Sequence, residues 1–182
     1  TAIMQRIYSA PQKPELIAKK IEEVKKGGGI AAVSFVPQSA KRMGPLAVEA
    51  GADMIVVQGT VVTARHSSKS LKGLVFSDLI KDLDVPVLVG NTVSYEVTKE
   101  LMQQGIAGVM VGVGPGSVCT SREVLGIGIP QVSATIECAA ARDDYFKETG
   151  KYIPIITDGG IRTGGDVCKS FAAGANAVMI GS

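Results

Sequence analysis

Short, continuous apolar runs recur along the chain, and each is followed by a polar or glycine-rich segment. Six of these runs predict β-strands, at residues 30–35, 54–58, 86–91, 108–113, 154–158 and 177–181, and residues 4–9 form a candidate seventh. Because apolar and polar residues do not alternate within the six runs, we expect the strands to be buried on both faces. That pattern is typical of a parallel sheet covered by helices.

Amphipathic segments with helical spacing lie between the predicted strands. They predict helices at residues 14–26, 39–50, 71–83, 94–104, 131–149 and 165–173. In the first of them, Ile17, Ile21 and Val24 share one face, and three consecutive glycines at 27–29 end the helix. Regular alternation of strands and helices indicates a (β/α) barrel or a doubly wound sheet. In both folds, functional groups gather at the carboxyl ends of the strands.

The carboxyl ends of the predicted strands are polar or rich in glycine. They carry Gln58, Gly90-Asn91, the run 112–114, the run 158–160 and Gly181-Ser182. A purely structural interpretation stays open for any single end, since turns also favour Gly, Asn and Asp. Agreement among all five ends favours a functional site at this edge of the sheet.

Composition and charge exclude several classes of protein. Hydrophobic residues make up 46% and charged residues 20%, with a net charge of +2, which gives no support for a nucleic-acid-binding face. No apolar run approaches the roughly 18 residues of a membrane span, and the start lacks a signal-peptide pattern. Three widely spaced cysteines form no zinc pattern with His66, an expected surface residue. We therefore expect a reducing, cytoplasmic setting.

The loop after the fourth strand carries the candidate chemistry. Its three glycines, Gly112, Gly114 and Gly116, allow close approach of the backbone to a ligand. Successive carbonyls of such a loop suit a cation, and successive N–H groups suit a phosphate, to which Ser117 adds a hydroxyl.

Cys119 lies in this polar, accessible loop rather than in an apolar repeat. Arg122 is three residues away and favours the thiolate form, so Cys119 is a candidate nucleophile. Cys138 and Cys168 fall within predicted helices, where we expect them to be packing residues.

The run GVGPGSVCTSREVLGIGIPQ, at residues 112–131, resembles the active-site loop of IMP dehydrogenases and GMP reductases. Gly90-Asn91, the DGG run at 158–160 and the final Gly181-Ser182 resemble family motifs in the same order. The resemblance extends from about residue 30 to residue 182. Residues 13–51 and 138–146 are similar to the subgroup called IMP dehydrogenase-related.

The resemblance implies a parallel (β/α)8 TIM barrel that assembles as a homotetramer. Such a barrel needs roughly 250 residues. We therefore expect residues 1–182 to be one catalytic domain that is an incomplete barrel of six to seven strands, lacking the first and last units and the mobile flap.

The resemblance also implies roles for individual residues. Cys119 would attack purine C2, with Ser121, in place of the family's Thr, as the neighbouring catalytic hydroxyl. The residues expected to bind the purine nucleotide (IMP, XMP or GMP) are Ser117, Asp158, Gly159, Gly160, Gly181 and Ser182. Of these, Asp158 would bind the ribose hydroxyls and the others the phosphate.

A nicotinamide cofactor and a monovalent cation are implied as well. The residues expected at the cofactor, NAD or NADP, are Gln58, Asn91, Gly112 and Gly114, and Gln58 departs from the family's usual Asp. The backbone carbonyls of Gly114, Gly116 and Cys119 are expected to bind potassium.

Several functions remain open on these residues. The first is NAD-dependent IMP dehydrogenase, which converts IMP, NAD and water to XMP and NADH. GMP reductase, which converts GMP and NADPH to IMP, ammonia and NADP, uses the same scaffold. A catalytically weak, nucleotide-binding regulatory protein is a third interpretation, supported by Gln58. A flavin-dependent barrel that shares only the DGG and GS ends is a fourth interpretation. The loop at residues 112–131 that contains Cys119, called the cysteine loop below, disfavours it.

Overall fold

The computed structural model describes residues 1–11, 13–64 and 73–181. The strands are β1 (Ala32–Phe35), β2 (Met54–Gln58), β3 (Val87–Thr92), β4 (Gly108–Val111), β5 (Ile155–Asp158) and β6 (Ala177–Met179). The α-helices are α1 (Ala2–Tyr8), α2 (Pro14–Lys26), α3 (Pro37–Glu49), α4 (Phe76–Lys81), α5 (Tyr95–Gln103), α6 (Gln131–Thr149) and α7 (Gly164–Ala172). A π-helical turn spans Ser121–Leu125.

The described strands form one parallel sheet in which each strand pairs with the next along the chain, from β1 to β6. A doubly wound sheet reverses its strand order at a switch point, whereas a barrel does not. The sequential order therefore confirms the predicted fold class, a parallel α/β barrel of which the described residues provide six strands.

Both faces of the central strands are covered, as the continuous apolar runs predict. One face packs into the main core beneath the helices through residues such as Val57, Val89 and Val109. The opposite face carries a smaller cluster of Val56, Met110 and Ile156. A sheet with apolar side chains on both faces cannot leave either face in water, which is why these strands do not alternate.

The starts of the helices depend on local sequence. α2 and α3 begin with Pro14 and Pro37, where the missing backbone N–H costs no helical hydrogen bond. At the start of α7, the side chain of Thr163 accepts a bond from the backbone of Asp166, and the side chain of Asp166 accepts one from the backbone of Thr163. This reciprocal capping directs the chain into α7 just after the strand that ends in Asp158.

The candidate seventh strand at residues 4–9 is wrong, because residues 4–8 lie in helix α1 and Ser9 is its C-cap. Its large apolar residues pair four positions apart, Ile3 with Ile7 and Met4 with Tyr8. That spacing places them along one side of a helix. All four are exposed, so no apolar contact in the described chain selects an extended conformation there.

Smaller differences affect the ends of elements. The strand predicted to reach residue 113 ends at Val111, and the helix predicted over 71–83 begins at Phe76, residues 65–72 being outside the described ranges. No helix within the described ranges has both the length and the apolar character needed to cross a membrane.

Candidate functional site

A cleft of about 470 Å³ opens at the carboxyl ends of β1 to β5. Its size falls within the range of small-molecule sites, roughly 300–1,000 Å³. Nine of the residues predicted from the sequence line it: Gln58, Asn91, Gly112, Gly114, Gly116, Cys119, Ser121, Asp158 and Gly159. The structure therefore gathers the predicted nucleophile, the DGG carboxylate and the predicted cofactor residues at one site.

The other predicted site residues lie elsewhere or outside the described chain. Ser117 and Gly181 are exposed and do not line the cleft. Gly160 also does not line the cleft but packs against the cysteine loop, since a Cβ there would lie 2.9 Å from the carbonyl oxygen of Pro115. Ser182 lies outside the described residues, as does His66, the expected surface residue.

Five residues that line the cleft were not predicted from the sequence, and they are Ser34, Val36, Gly59, Thr60 and Pro115. Ser34 had a usable signal, since it is the polar residue within the otherwise apolar run Ala32–Phe35. Thr60, two residues beyond the end of β2, is a further polar strand-end residue.

Three polar side chains at the carboxyl ends of β2, β3 and β5 form a hydrogen-bonded network on the cleft wall. The amide nitrogen of Gln58 donates to Asn91 Oδ1 at 2.9 Å and to Asp158 Oδ2 at 2.7 Å. The amide nitrogen of Asn91 donates to the same Asp158 Oδ2 at 2.8 Å and to the carbonyl of Gly112 at 2.9 Å. Because the ends of β2, β3 and β5 converge here, side chains far apart in sequence become hydrogen-bond partners of one another.

Backbone pairing beyond β2 holds Asn91 in place. The N–H of Gly59 donates to the carbonyl of Gly90, and the N–H of Asn91 donates to the carbonyl of Gly59, at 2.9 and 3.0 Å. Asn91 is only 6% exposed, so its side chain must find internal partners. The network supplies them.

Gly112 is required where the cysteine loop leaves β4. Its φ is +143°, and a Cβ at this position would lie 2.5 Å from the backbone carbonyl oxygen of Asp158. The amide nitrogen of Gln131, at the start of α6, donates to the carbonyl of Val111 at 2.6 Å and to that of Asp158 at 3.4 Å. Gln131 thus joins the ends of β4 and β5 behind the cleft.

Cys119 is exposed at the tip of the loop. Its backbone N–H donates to the carbonyl of Gly116 at 3.1 Å, which closes a turn, and its Sγ lies 3.4 Å from Ser121 Oγ. The hydroxyl and the backbone N–H of Ser121 lower the pKa of the Cys119 thiol, and the positive charge of Arg122 makes a smaller contribution. A thiolate is the nucleophilic form, so this arrangement favours covalent chemistry.

Arg122 connects the two ends of the cysteine loop by hydrogen bonds. Its Nε donates to the carbonyl of Val113 at 3.2 Å, and a terminal nitrogen donates to the carbonyl of Ile129 at 2.5 Å. The stem of the side chain passes close to two glycines, since a Cβ at Gly114 or Gly128 would lie 2.8 or 2.6 Å from Arg122 Cγ. The glycines leave the room through which the side chain reaches both carbonyls.

The other two cysteines differ from each other. Cys138 is fully buried, its sulfur accepts a hydrogen bond from Thr98 Oγ1 at 3.1 Å, and burial raises its pKa to about 11, as suits a packing residue. The prediction that Cys168 is also a packing residue is wrong, because Cys168 is exposed. Ser170 is the buried residue of α7, and positions two apart on a helix face different directions.

Comparison with known proteins identifies the family. The model of the IMP dehydrogenase / GMP reductase domain matches residues 15–182. The chain belongs to the IMP dehydrogenase / GMP reductase family. The predicted resemblance to this family is thereby confirmed.

Individual relatives agree with this assignment. An uncharacterized oxidoreductase from Mycolicibacterium smegmatis is 38% identical over 99% of this chain and 48% of its own length. Inosine-5'-monophosphate dehydrogenase from Aquifex aeolicus is 45% identical over 84% of this chain and 29% of its own length. The chain thus spans about half the length of the first of these relatives.

A solved structure has the same fold. The IMP dehydrogenase/GMP reductase-like protein from Corynebacterium glutamicum superimposes with a TM-score of 0.86 at 37% identity, over 97% of this chain and 46% of that one. The fold predicted for this family member is therefore confirmed by its likeness to an experimental structure.

Proposed function

We propose that the full-length protein is an NAD-dependent IMP dehydrogenase that converts IMP and water to XMP while reducing NAD. One observation carries the proposal. Cys119, a thiol with a lowered pKa, lines the same cleft as Asp158, a carboxylate fixed by amide donors. A nucleophile beside a group suited to sugar hydroxyls matches covalent chemistry on a nucleoside.

The proposed first half-reaction begins with the thiolate of Cys119. Its sulfur attacks C2 of the hypoxanthine ring, and the C2 hydrogen leaves as hydride while the carbon–sulfur bond is retained. A nicotinamide bound in this cleft would supply the acceptor for that hydride. Water then adds to C2 with release of one proton to solvent, the carbon–sulfur bond breaks, and XMP leaves with Cys119 returned as thiolate. Ser121 stabilises the thiolate at the beginning and the end of this cycle.

The other cleft residues bind and orient the nucleotide. Asp158 accepts hydrogen bonds from the ribose hydroxyls, because a carboxylate is an acceptor with no affinity for a phosphate of like charge. Gly159 and Gly160 pack against the loop that carries Cys119, and their backbone N–H groups are the proposed phosphate donors, with Ser117, Gly181 and Ser182 as further phosphate ligands. Both glycines have positive φ, at +90° and +77°, a conformation in which a glycine-rich turn exposes its N–H groups.

The residues at the cleft fit a nicotinamide in part. Gln58, Asn91, Gly112 and Gly114 line it together. Both amide hydrogens of Gln58 are already donated to Asn91 and Asp158, so Gln58 would meet a cofactor carboxamide as an acceptor through Oε1.

The cysteine loop also offers the oxygen ligands that potassium prefers. The carbonyls of Gly114, Gly116 and Cys119 lie within six residues of one another. The Gly116 carbonyl accepts one hydrogen bond, from Cys119, and so keeps a lone pair for a cation. We propose that potassium, bound there, would hold the loop in its reactive conformation. We also propose that the full-length protein is a cytoplasmic homotetramer.

GMP reductase is the second candidate function. Gln58 leaves the choice between dehydrogenase and reductase open, because the neutral amide changes the charge at a strand end where the family usually has an aspartate. The reductase would use the same Cys119 attack on C2, with ammonia leaving and hydride arriving. A catalytically weak regulatory protein, also compatible with Gln58, would bind IMP without turnover.

The deciding experiment monitors nicotinamide absorbance with the full-length protein and potassium in two reactions. One contains IMP with NAD and the other contains GMP with NADPH. NADH formation in the first is the expected result. NADPH consumption in the second reaction alone would establish a reductase. No change of absorbance in either reaction, with IMP still bound, would favour the regulatory protein.

A further inference from the structure

The hydrogen bonds around Asp158 are distributed unequally between its two carboxylate oxygens. Oδ2 accepts from the amide nitrogens of Gln58, at 2.7 Å, and Asn91, at 2.8 Å. Within the described part of the chain, Oδ1 has no hydrogen bond. Since Asp158 lines the cleft, Oδ1 is the oxygen that remains for a ligand.

We propose that Gln58 is a positioning residue for the nucleotide site, which holds Asp158 through Oδ2 and thereby presents Oδ1 to the ribose hydroxyls. This inference rests on the proposed function, because it needs a nucleotide in the cleft. It gives Gln58 a role toward Asp158, the carboxylate that binds the substrate ribose, in addition to the acceptor role toward the cofactor.

The amide of Gln58 is suited to this role because its two N–H groups are both committed. One is donated to Asn91 and the other to Asp158, while Oε1 lies 3.4 Å from the hydroxyl of Ser34. A side chain held from three sides has little rotational freedom, so the carboxylate it contacts is held as well. The polar residue Ser34 in β1 is thereby connected through Gln58 to Asp158 in β5.

A carboxylate of the same shape in place of the amide would reverse the interaction. The variant Gln58→Glu would lose both donors and bring a second negative charge within hydrogen-bond distance of Asp158. Two carboxylates that share a site cannot both ionise freely, so the pair would titrate with one raised pKa. With one proton retained, the pair would again form a hydrogen bond and the orientation of Asp158 would be recovered.

The test measures IMP affinity of the full-length protein by calorimetry for wild type, Gln58→Glu and Gln58→Met at about pH 6 and about pH 8.5. Among the described residues that line the cleft, Cys119 and Asp158 are the titratable groups. The ratio of the variant Kd to the wild-type Kd at each pH removes the titration of Cys119 and of the IMP phosphate. Gln103→Glu, which makes the same charge change at an exposed position of α5, is the matched control.

We expect Gln58→Glu to bind IMP roughly tenfold or more weakly at the higher pH, the scale of a hydrogen bond to a charged group, and to approach wild type at the lower pH. Gln58→Met should weaken binding by a similar factor at both pH values, and Gln103→Glu should match wild type. Gln58→Met also keeps the test decisive if the glutamate variant does not fold.

Three results would overturn the inference. Wild-type affinity in both Gln58 variants would remove Gln58 from the nucleotide site while leaving the proposed function intact. A loss in Gln58→Glu that is the same at both pH values would indicate general disruption rather than control of Asp158. Failure of the wild type itself to bind IMP would refute the proposed function, and the inference with it.

Discussion

The sulfur of Cys119 lies 3.4 Å from the hydroxyl oxygen of Ser121. This pair, rather than the nearby arginine, makes the largest contribution to the lowered pKa of the thiol. The sequence pointed to Arg122 for that purpose, but its guanidinium is occupied by the carbonyls of Val113 and Ile129. Activation of the nucleophile is therefore a property of the turn, in which residue 121 returns toward residue 119.

Replacing Ser121 by alanine should raise the pKa of Cys119, because the thiolate loses its hydroxyl donor. Fewer thiolates at a given pH mean slower alkylation, so the curve of iodoacetamide rate against pH should move to higher pH. Mass spectrometry of the peptides separates Cys119 from the exposed Cys168, while Cys138 is buried. Ser121→Thr, which keeps the hydroxyl, should retain the wild-type curve; superimposable curves for the alanine variant would refute the role of Ser121.

Much of the fold was predictable because it depends on local pattern. The continuous apolar run of β2 predicts Met54–Gln58 with both ends correct, and the helices α2 and α6 also begin and end as predicted. The polar strand ends predict that Gln58, Asn91 and Asp158 meet, since parallel strands bring their carboxyl ends to one edge. Features set by the period of a strand or a helix can therefore be derived from sequence alone.

The remaining features depend on contacts between distant residues. No local pattern indicates that the side chain of Arg122 passes beside Gly128, or that Gln131 joins Val111 to Asp158. The exposure of Cys168 likewise depends on how α7 is rotated on the sheet. The contacts of Arg122 and Gln131 hold the two ends of the loop that carries Cys119, and only the folded chain reveals them.

Gly128→Ala should reduce turnover through Arg122. A Cβ at position 128 would lie 2.6 Å from Cγ and Nε of Arg122, so the side chain must move and lose its hold on the loop. Loss of one or both charge-assisted hydrogen bonds predicts a fall in kcat of roughly tenfold or more. The measurement is steady-state kinetics of the full-length protein.

The matched control for that variant is Gly164→Ala, where a Cβ has open space and φ is ordinary. It should keep the wild-type kcat. An unchanged kcat in Gly128→Ala would show that the hydrogen bonds from Arg122 to Val113 and Ile129 are dispensable for turnover.

Cys119→Ala should abolish turnover and leave the affinity for IMP within about tenfold of wild type, because phosphate and ribose contacts supply most of the ground-state binding. Turnover and IMP binding are measured separately on the same preparation. Cys168→Ala, which removes another exposed thiol, should remain active. Undiminished turnover without the Cys119 sulfur would exclude it from the mechanism.

Gly112→Ala should lower the melting temperature of the full-length protein for two separable reasons. The φ of +143° is unfavourable for any residue with a Cβ, and that Cβ would lie 2.5 Å from the carbonyl oxygen of Asp158. Gly105→Ala isolates the first cause, because Gly105 has a φ of +87° with open space around it. Backbone strain alone costs about 1–3 kcal/mol, so Gly105→Ala should lower the melting temperature by a few degrees and Gly112→Ala by clearly more. Equal shifts in the two variants would mean that β5 moves aside at little cost, and that the close approach of Gly112 to Asp158 does not fix the geometry of the cleft.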